Sequence, residues 1–466
     1  MASPPRTPDG TPGTPAGTTR APGAPQTPET SRTPETPGTR QTPGAQGTPA
    51  AQDALEALRG TGVTIRNAGP GDTVGGVPPR WVALPESTAE VAALMRVSAA
   101  CDLAVVCAGE GTRLGRGAPP ERCDLLLDTC CLLLGDGSGV EHSFGDLVAR
   151  TGAGLSLDAL AAVLSREGQE LALDGVRRDG VVGGTVGGTL ATGDAGPRRF
   201  RHGTPRDLLI GVTVVLADGT VAVSGGNVVK NVAGYDLGKL FTGSYGTLGV
   251  ITEAVFRLHP LPADRRWAGV APPAAALPAL VAELASSQAE PSAIELDWPD
   301  PAGGAPTVCV LLEGVAAAAR AEAVRASMEA YGTAWVSSEA PAWWAESSGE
   351  EVLAEVRVPP AAAYPALRAV AARGLPVSVR GSVASAVLRL ALPPQVGGVE
   401  FAGFVTGVRD DLALLGGGLT VLAAPPELAR GVDLWGPSGA LPLMRRVKER
   451  FDPGRRMSPG RFVGGI

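Results

Sequence analysis

Positive charge is in deficit: 40 Lys and Arg face 47 Asp and Glu, for a net charge of -7. A chain that grips a nucleic-acid backbone normally carries a basic surplus, so nucleic acid is not an expected partner. Cysteine is sparse as well, with six at positions 101, 107, 123, 130, 131 and 309 of 466 residues. That number and spacing give neither a disulfide framework nor the paired ligands of a zinc site. Buried reduced thiols are the expectation, and they suit a cytosolic compartment. No apolar run reaches the roughly 18 residues that span a bilayer, because Gly or a charge interrupts each candidate. Aromatic residues make up only 4%, yet the apolar fraction of 44% supplies a large core despite 64 Gly and 42 Pro. Wholesale disorder and a collagen-like chain are therefore excluded, and two globular domains are expected.

The segment 1–51 repeats Thr-Pro, as in Thr7-Pro8, Thr11-Pro12, Thr27-Pro28 and Thr33-Pro34, and has hardly a bulky apolar side chain. It cannot bury enough surface to offset chain entropy, so a disordered tail is expected. It has neither the basic start nor the apolar stretch of about 7 to 15 residues of a signal peptide. Folded sequence is expected from Gln52. The stretch Ser87 to Ala100 places Val91, Leu94, Met95 and Ala99 on one helical face behind a Ser87 or Thr88 N-cap.

Leu103 to Ala108 then reads as a buried strand that opens directly into Gly109-Glu110-Gly111-Thr112-Arg113-Leu114-Gly115-Arg116-Gly117. Glycines let backbone NH groups converge on an anion without a Cβ in the way. Leu114 stands where the Rossmann fingerprint needs its third Gly, and no Gly-Lys-Ser/Thr follows. Alone, the loop fits an ordinary turn as well as a cofactor cradle. Val181 to Gly193 adds five more glycines, and Leu208 to Val223 reads as a hairpin around Asp218-Gly219. Lys230-Asn231-Val232-Ala233-Gly234-Tyr235-Asp236-Leu237 and Gly243-Ser244-Tyr245-Gly246-Thr247-Leu248-Gly249 complete the series. Loops closing on a single ligand are the economical reading.

In this order the segments resemble the FAD-binding domain of the vanillyl-alcohol oxidase and p-cresol methylhydroxylase type. Within that superfamily, Ala195-Gly196-Pro197-Arg198-Arg199, the Tyr at 245 and the C-terminal ending resemble the FAD-binding subunits of bacterial glycolate oxidases. The resemblance implies an α+β fold, with a two-subdomain PCMH-type FAD-binding domain followed by a smaller α+β cap. The boundaries expected are 52–263 for the flavin domain, 264–441 for the cap and 442–466 for a segment returning to the flavin domain. Carried over by position, Gly109, Glu110, Gly111 and Thr112 would hold phosphates. Gly183, Gly184, Gly187, Gly188 and Gly193 would line the isoalloxazine and ribityl path, with Val250 and Ile251 near the adenine. His142, His202 and His259 all fall away from the usual anchoring loop, so non-covalent FAD is implied and no metal is expected.

A 2-hydroxy acid needs a cation for its carboxylate and a base for its hydroxyl proton. Arg198, Arg199, Lys230 and Arg461 are the positive candidates and Tyr235 a hydrogen-bonding one. The region 264–441 alternates Ala-rich helical patterns (Ala274 to Ala285, Val315 to Tyr331) with short strands, including Ala293 to Leu296, Val377 to Val379 and Ala386 to Leu390. Trp343-Trp344 reads as core or surface aromatics rather than pocket lining. Met444 to Arg450 reads as a basic helix whose charges complement its own C-terminus. Three functions compete. One is a catalytic FAD subunit oxidising glycolate or a related acid, with a second flavoprotein and an iron-sulfur subunit as partners. The others are a non-catalytic FAD relay and a stand-alone FAD oxidase of another substrate. A cytoplasmic place, peripheral to the inner membrane through its complex, is the implied location.

Overall fold

Ser87 accepts a hydrogen bond from the Glu90 amide and so starts the helix that its apolar spacing predicts. The computed structural model describes residues 49–134, 139–178, 181–226, 236–345, 352–393 and 395–466. Lys230, Tyr235 and nearly all of the expected tail lie outside these. The first helix, α1, spans Pro49–Arg59, slightly ahead of the expected start at Gln52. It shares a core with α2 (Thr88–Ala100) and with one face of a four-stranded sheet. The strands are β1 (Thr64–Asn67), β2 (Trp81–Leu84), β3 (Val105–Ala108) and β4 (Leu125–Asp128), ordered β1-β2-β4-β3. β4 runs parallel to both β2 and β3. A smaller cluster of Val82, Val106 and Leu126 covers the other face. Burial on both faces explains why β2, β3 and β4 read as apolar runs, unlike the exposed edge strand β1.

A second, antiparallel sheet has the order β8-β7-β9-β6-β5. Its strands are β5 (Val140–Ser143), β6 (Val148–Gly152), β7 (Leu209–Val215), β8 (Val221–Gly225) and β9 (Val250–Arg257). The β7–β8 hairpin turns at the expected Asp218-Gly219, with Gly219 at a φ of 85°. Helices α3 (Leu157–Ser165) and α4 (Val186–Thr192) pack into its core, and a one-turn helix α5 (Arg199–His202) follows.

Residues 265–423 build a third, eight-stranded antiparallel sheet, larger than the short strands expected from the sequence. Its strands are β10 (Arg265–Val270), β11 (Ala293–Trp298), β12 (Thr307–Glu313), β13 (Ala334–Ser337), β14 (Val352–Arg357), β15 (Ser378–Ser382), β16 (Val387–Leu392) and β17 (Gly418–Ala423). The order is β13-β10-β12-β11-β15-β16-β14-β17. Alternation decides what each face meets. Ile294, Leu296, Val310, Val379, Leu388 and Leu390 face α6 (Leu277–Ala285), α7 (Ala317–Met328), α8 (Ala363–Ala371) and α9 (Gly398–Leu414) in one core. Their neighbours Glu295, Asp297, Arg380 and Arg389 stand on the opposite face. The last helix, α10, spans Leu441–Phe451. Among the described residues no helix is long and apolar enough to cross a membrane.

Candidate cofactor cleft and adjoining cavity

β3 delivers the chain to Gly109, whose close approach to α4 admits no side chain: a Cβ there would lie 2.4 Å from Thr185 Oγ1. Thr185 is engaged as the N-cap of α4, accepting from the Gly188 amide at 3.1 Å. Glu110 fastens the two glycine segments together, its Oε2 accepting from the Gly184 amide at 2.6 Å. Between the segments runs a cleft of about 560 Å³, whose walls include Gly109, Gly111, Thr112, Gly188, Tyr245 and Arg461. Gly111 has a φ of 74° and empty space where a Cβ would point, so the loop offers bare backbone to the cleft.

The remaining expected cofactor residues divide by position. Gly183 and Gly184 lie against Thr112 and Arg113. Gly187 instead permits close packing of α4, since a Cβ there would meet Ala153 at 2.9 Å, and Gly193 ends α4 in the left-handed conformation. The Val250 and Ile251 side chains are buried in the two neighbouring hydrophobic cores rather than on the cleft wall.

Arg113 of the cleft wall belongs to an ionic cluster that the sequence reading missed. Asp194 is buried, with Arg113 and Arg116 of the first loop each 3.1 Å from its Oδ2, and Arg389 of β16 on its Oδ1. Burial opposes the charge of Asp194, but Arg389, Arg116 and Arg113 outweigh it and hold the carboxyl far below its ordinary range. Nη2 of Arg113 is buried without a hydrogen-bond partner.

Asp194 also borders a second cavity of about 810 Å³, beside Arg199, Glu295, Arg380, Arg389 and Trp343. The sheet register lays charges across its floor, with Asp297, Arg380, Arg389 and Glu355 directly opposite one another on four successive strands. Arg380 Nε donates to Asp297 at 2.6 Å, and Arg389 lies 3.9 Å from Glu355. Arg199 differs from these: its guanidinium makes no hydrogen bond or ion pair with the described residues, and burial lowers its pKa. Burial first, then Asp174, pushes Glu295 up to about 8, and its Oε1 is buried with no partner. Trp343 lines this cavity, which corrects its reading as mere core or surface.

Arg198 and Arg199 are adjacent but do different work. Arg198 is enclosed by carboxylates, donating to Asp174 at 2.7 Å and Glu170 at 2.8 Å, so its charge is already spent. Arg265 joins the same network through Glu170 and Glu313. Burial would raise Glu313, but its hydrogen bond with His202 and the charge of Arg198 hold it at about 2.

The basic reading of the last helix needs correction at Lys448. Its ammonium is buried, donating to Asp452 at 2.7 Å and to the Thr247 and Met457 carbonyls at 2.8 Å each. This pins the segment after α10 along β3, where the Ser458 amide donates to the Val105 carbonyl. The segment ends at the cleft. Arg461 Nη2 donates at 2.6 Å to the carbonyls of both Leu114 and Arg116, bracing the first glycine loop from behind.

Residues 79–225 match the family described as FAD binding domain. D-lactate dehydrogenase of Archaeoglobus fulgidus is 35% identical over 179 residues, 38% of this chain and 38% of that one. Glycolate oxidase subunit GlcD of Bacillus subtilis is 34% identical over 189 residues, 40% of this chain and 38% of its own. Subunit GlcE of Escherichia coli is 39% identical over 123 residues, 26% and 35% of the two chains. The chain thus matches less than two-fifths of the length of these relatives. Among solved structures, an alkyldihydroxyacetonephosphate synthase superposes with a TM-score of 0.63 at 17% identity, covering 91% of this chain and 87% of that one. A chitooligosaccharide oxidase gives 0.61 at 17% identity, with coverage of 86% and 97%. Residues 79–225 carry an FAD-binding domain, and the fold is the α+β one expected. The cleft fits that cofactor on its own terms: open backbone at Gly111 and the partnerless Arg113 Nη2 suit an anionic diphosphate.

Proposed function

We propose that this chain is the FAD-binding subunit of an oxidoreductase that converts glycolate or a related 2-hydroxy acid to the 2-oxo acid and passes electrons to a partner. The observation that carries the reading is Arg199, a guanidinium without a hydrogen bond or ion pair among the described residues, in a cavity whose wall residue Asp194 is paired with Arg113 of the cofactor cleft. A half-buried guanidinium with its hydrogen bonds unmade favours a carboxylate, which it can meet with two parallel hydrogen bonds. Gly109 to Thr112, Gly184, Gly188 and Arg113 would hold the diphosphate. Bound flavin would supply the two-electron oxidant. The protein's own share is to fix the substrate carboxylate on Arg199 and to exclude water beneath the eight-stranded sheet.

Lys230 and Tyr235 belong to the proposal as further groups at the site, and Arg461 as the brace of the first loop. A flavin domain at 52–263, a cap at 264–441 and a returning segment at 442–466 accord with the separate sheets. The names of the relatives GlcD and GlcE, each a glycolate oxidase subunit, support a multi-subunit assembly; a second flavoprotein and an iron-sulfur chain are the partners we propose for it. The six cysteines, free thiols in the structure, suit a reducing cytoplasmic setting, with any membrane contact made through the complex.

Anaerobic addition of glycolate or D-lactate to the purified FAD-loaded chain tests the reading. Bleaching of the flavin absorbance is expected. A bound flavin that neither acid reduces would assign the chain the relay role, and a chain that takes up no FAD would overturn the whole proposal.

A further inference from the structure

The cavity beside Arg199 holds a second group with no assigned work. Glu295 lies on β11 with its side chain on the face away from the helices, and it is only 6% exposed. Its neighbours across the sheet, Cys309 on β12 and Ser382 on β15, leave Oε1 without a hydrogen-bond partner. A buried carboxyl oxygen in that condition is costly unless something in the cavity completes it. The cations nearby are otherwise engaged: Arg380 is held by Asp297, and Arg389 by Asp194. Arg199, from α5, shares the cavity and makes no hydrogen bond or ion pair with any described residue, though Glu355 and Glu295 lie within reach of its charge.

We propose that Glu295 receives the 2-hydroxyl of a substrate whose carboxylate rests on Arg199, and that its Oε1 takes the hydroxyl proton as the acid is oxidised. The proposal rests on the 2-hydroxy-acid reading given above and identifies the base which that reading lacks. A 2-hydroxy acid carries its carboxylate and hydroxyl on adjacent carbons, so one cation and one acceptor in a single cavity match both. The balance is simple. The O–H bond breaks and its proton goes to Glu295, while the C–H bond breaks and its hydride leaves with both electrons to the oxidant named above. The carbinol becomes a carbonyl.

The groups facing Glu295 are Arg199 from α5, Arg389 from β16, Cys309 from β12 and Asp174 from the segment before α4, with Asp297 on its own strand. Burial and Asp174 favour the protonated carboxyl, while Arg199 and Arg389 favour the carboxylate. A substrate anion on Arg199 reduces that cation's hold on the carboxylate, which raises the basicity of Glu295 when the proton must be taken. Turnover should therefore rise with pH through the titration of Glu295 near 8.

Binding separates this proposal from the reading beneath it. Glycolate and acetate differ only in the hydroxyl, and the dithionite-reduced holoenzyme binds either without oxidising it. Calorimetry should give at least a tenfold preference for glycolate in the wild type. Glu295→Leu should abolish that preference while leaving acetate affinity within about threefold. Glu295→Gln keeps the shape and should lose roughly 100-fold or more in turnover, together with the rise near pH 8. If the wild type binds neither anion, the 2-hydroxy-acid reading falls. If it binds both, and the two variants keep the wild-type preference and pH profile, Glu295 has no such role.

Discussion

Nε of Arg113 lies 3.1 Å from Oδ2 of Asp194, with both side chains almost wholly buried. The bond joins the loop after β3 to the segment after α4, and Arg389 reaches the other oxygen from the eight-stranded sheet. One carboxylate thus gathers cations from separate parts of the fold, Arg113 from the wall of the cofactor cleft and Arg389 from the wall of the second cavity. Removing a partner from a buried ionic cluster leaves charge uncompensated, which costs more than the cluster contributes when whole.

Asp194→Asn should accordingly lower stability by about 3–5 kcal/mol. Chemical denaturation checks this, and FAD content measured at 450 nm should fall with it because Arg113 and Arg116 lose their anchor. A stable variant with full FAD would show the cluster to be incidental.

Gly109→Ala should expel the cofactor. The new Cβ meets Thr185 at 2.4 Å to Oγ1 and 2.8 Å to Cγ2, an overpacking of about 1–3 kcal/mol. Flavin affinity should drop at least tenfold. Adding Thr185→Ala removes both clashing atoms and should restore part of it, less the roughly 1 kcal/mol of the lost N-cap.

Arg199→Met should leave FAD content unchanged and weaken glycolate binding to the reduced holoenzyme by about 10 to 100-fold, the range of a hydrogen bond to a charged group. The same change at Arg198 should act differently. Asp174 and Glu170 would lose their shared cation, so thermal stability should fall instead.

Lys448→Met should detach the returning segment. Asp452, fully buried, would be left as an unpaired carboxylate at a cost of about 3–5 kcal/mol. Proteolysis near residues 452–461 should become faster and flavin retention poorer, because Arg461 no longer braces the first loop.

Glu295 also sets a pH dependence of stability. Folded, it keeps its proton up to about pH 8; unfolded, it releases it near 4.5. Between these values the unfolded chain binds fewer protons, so this group makes stability fall as pH rises from 4.5 to 8 and has no further effect above. Glu295→Gln lacks that loss. Its melting temperature should match the wild type near pH 4.5 and exceed it increasingly toward pH 8, where the difference in stability approaches about 5 kcal/mol.

The glycine loops, the β7–β8 hairpin and α2 were legible because each depends on local chemistry: positive φ at Gly219, a capping Ser87, a strand running into Gly109. The cavity was much less so. Arg389 sits in Val387-Leu388-Arg389-Leu390-Ala391-Leu392, where alternation does announce a charged face. Nothing local says that this face meets Asp194, 195 residues earlier. The distinction between Arg198 and Arg199 is likewise tertiary, made by Asp174, Glu170 and Glu313 around one and none of them around the other. Lys448 read as one of the charges complementing the end of its own helix because its burial depends on the Thr247 and Met457 carbonyls, which no helical periodicity reveals.

The brace from Arg461 to Leu114 spans 347 positions of sequence. A nascent chain emerges amino end first, so the strand and glycine loop leave the ribosome long before the residue that holds them. The loop must therefore wait, unbraced, until residue 461 has been made, and a flavin-ready loop cannot precede that point. Where flavin is scarce, the vulnerable population is the fully synthesised chain with an unfilled cleft, and cofactor supply would govern how much of it survives proteolysis.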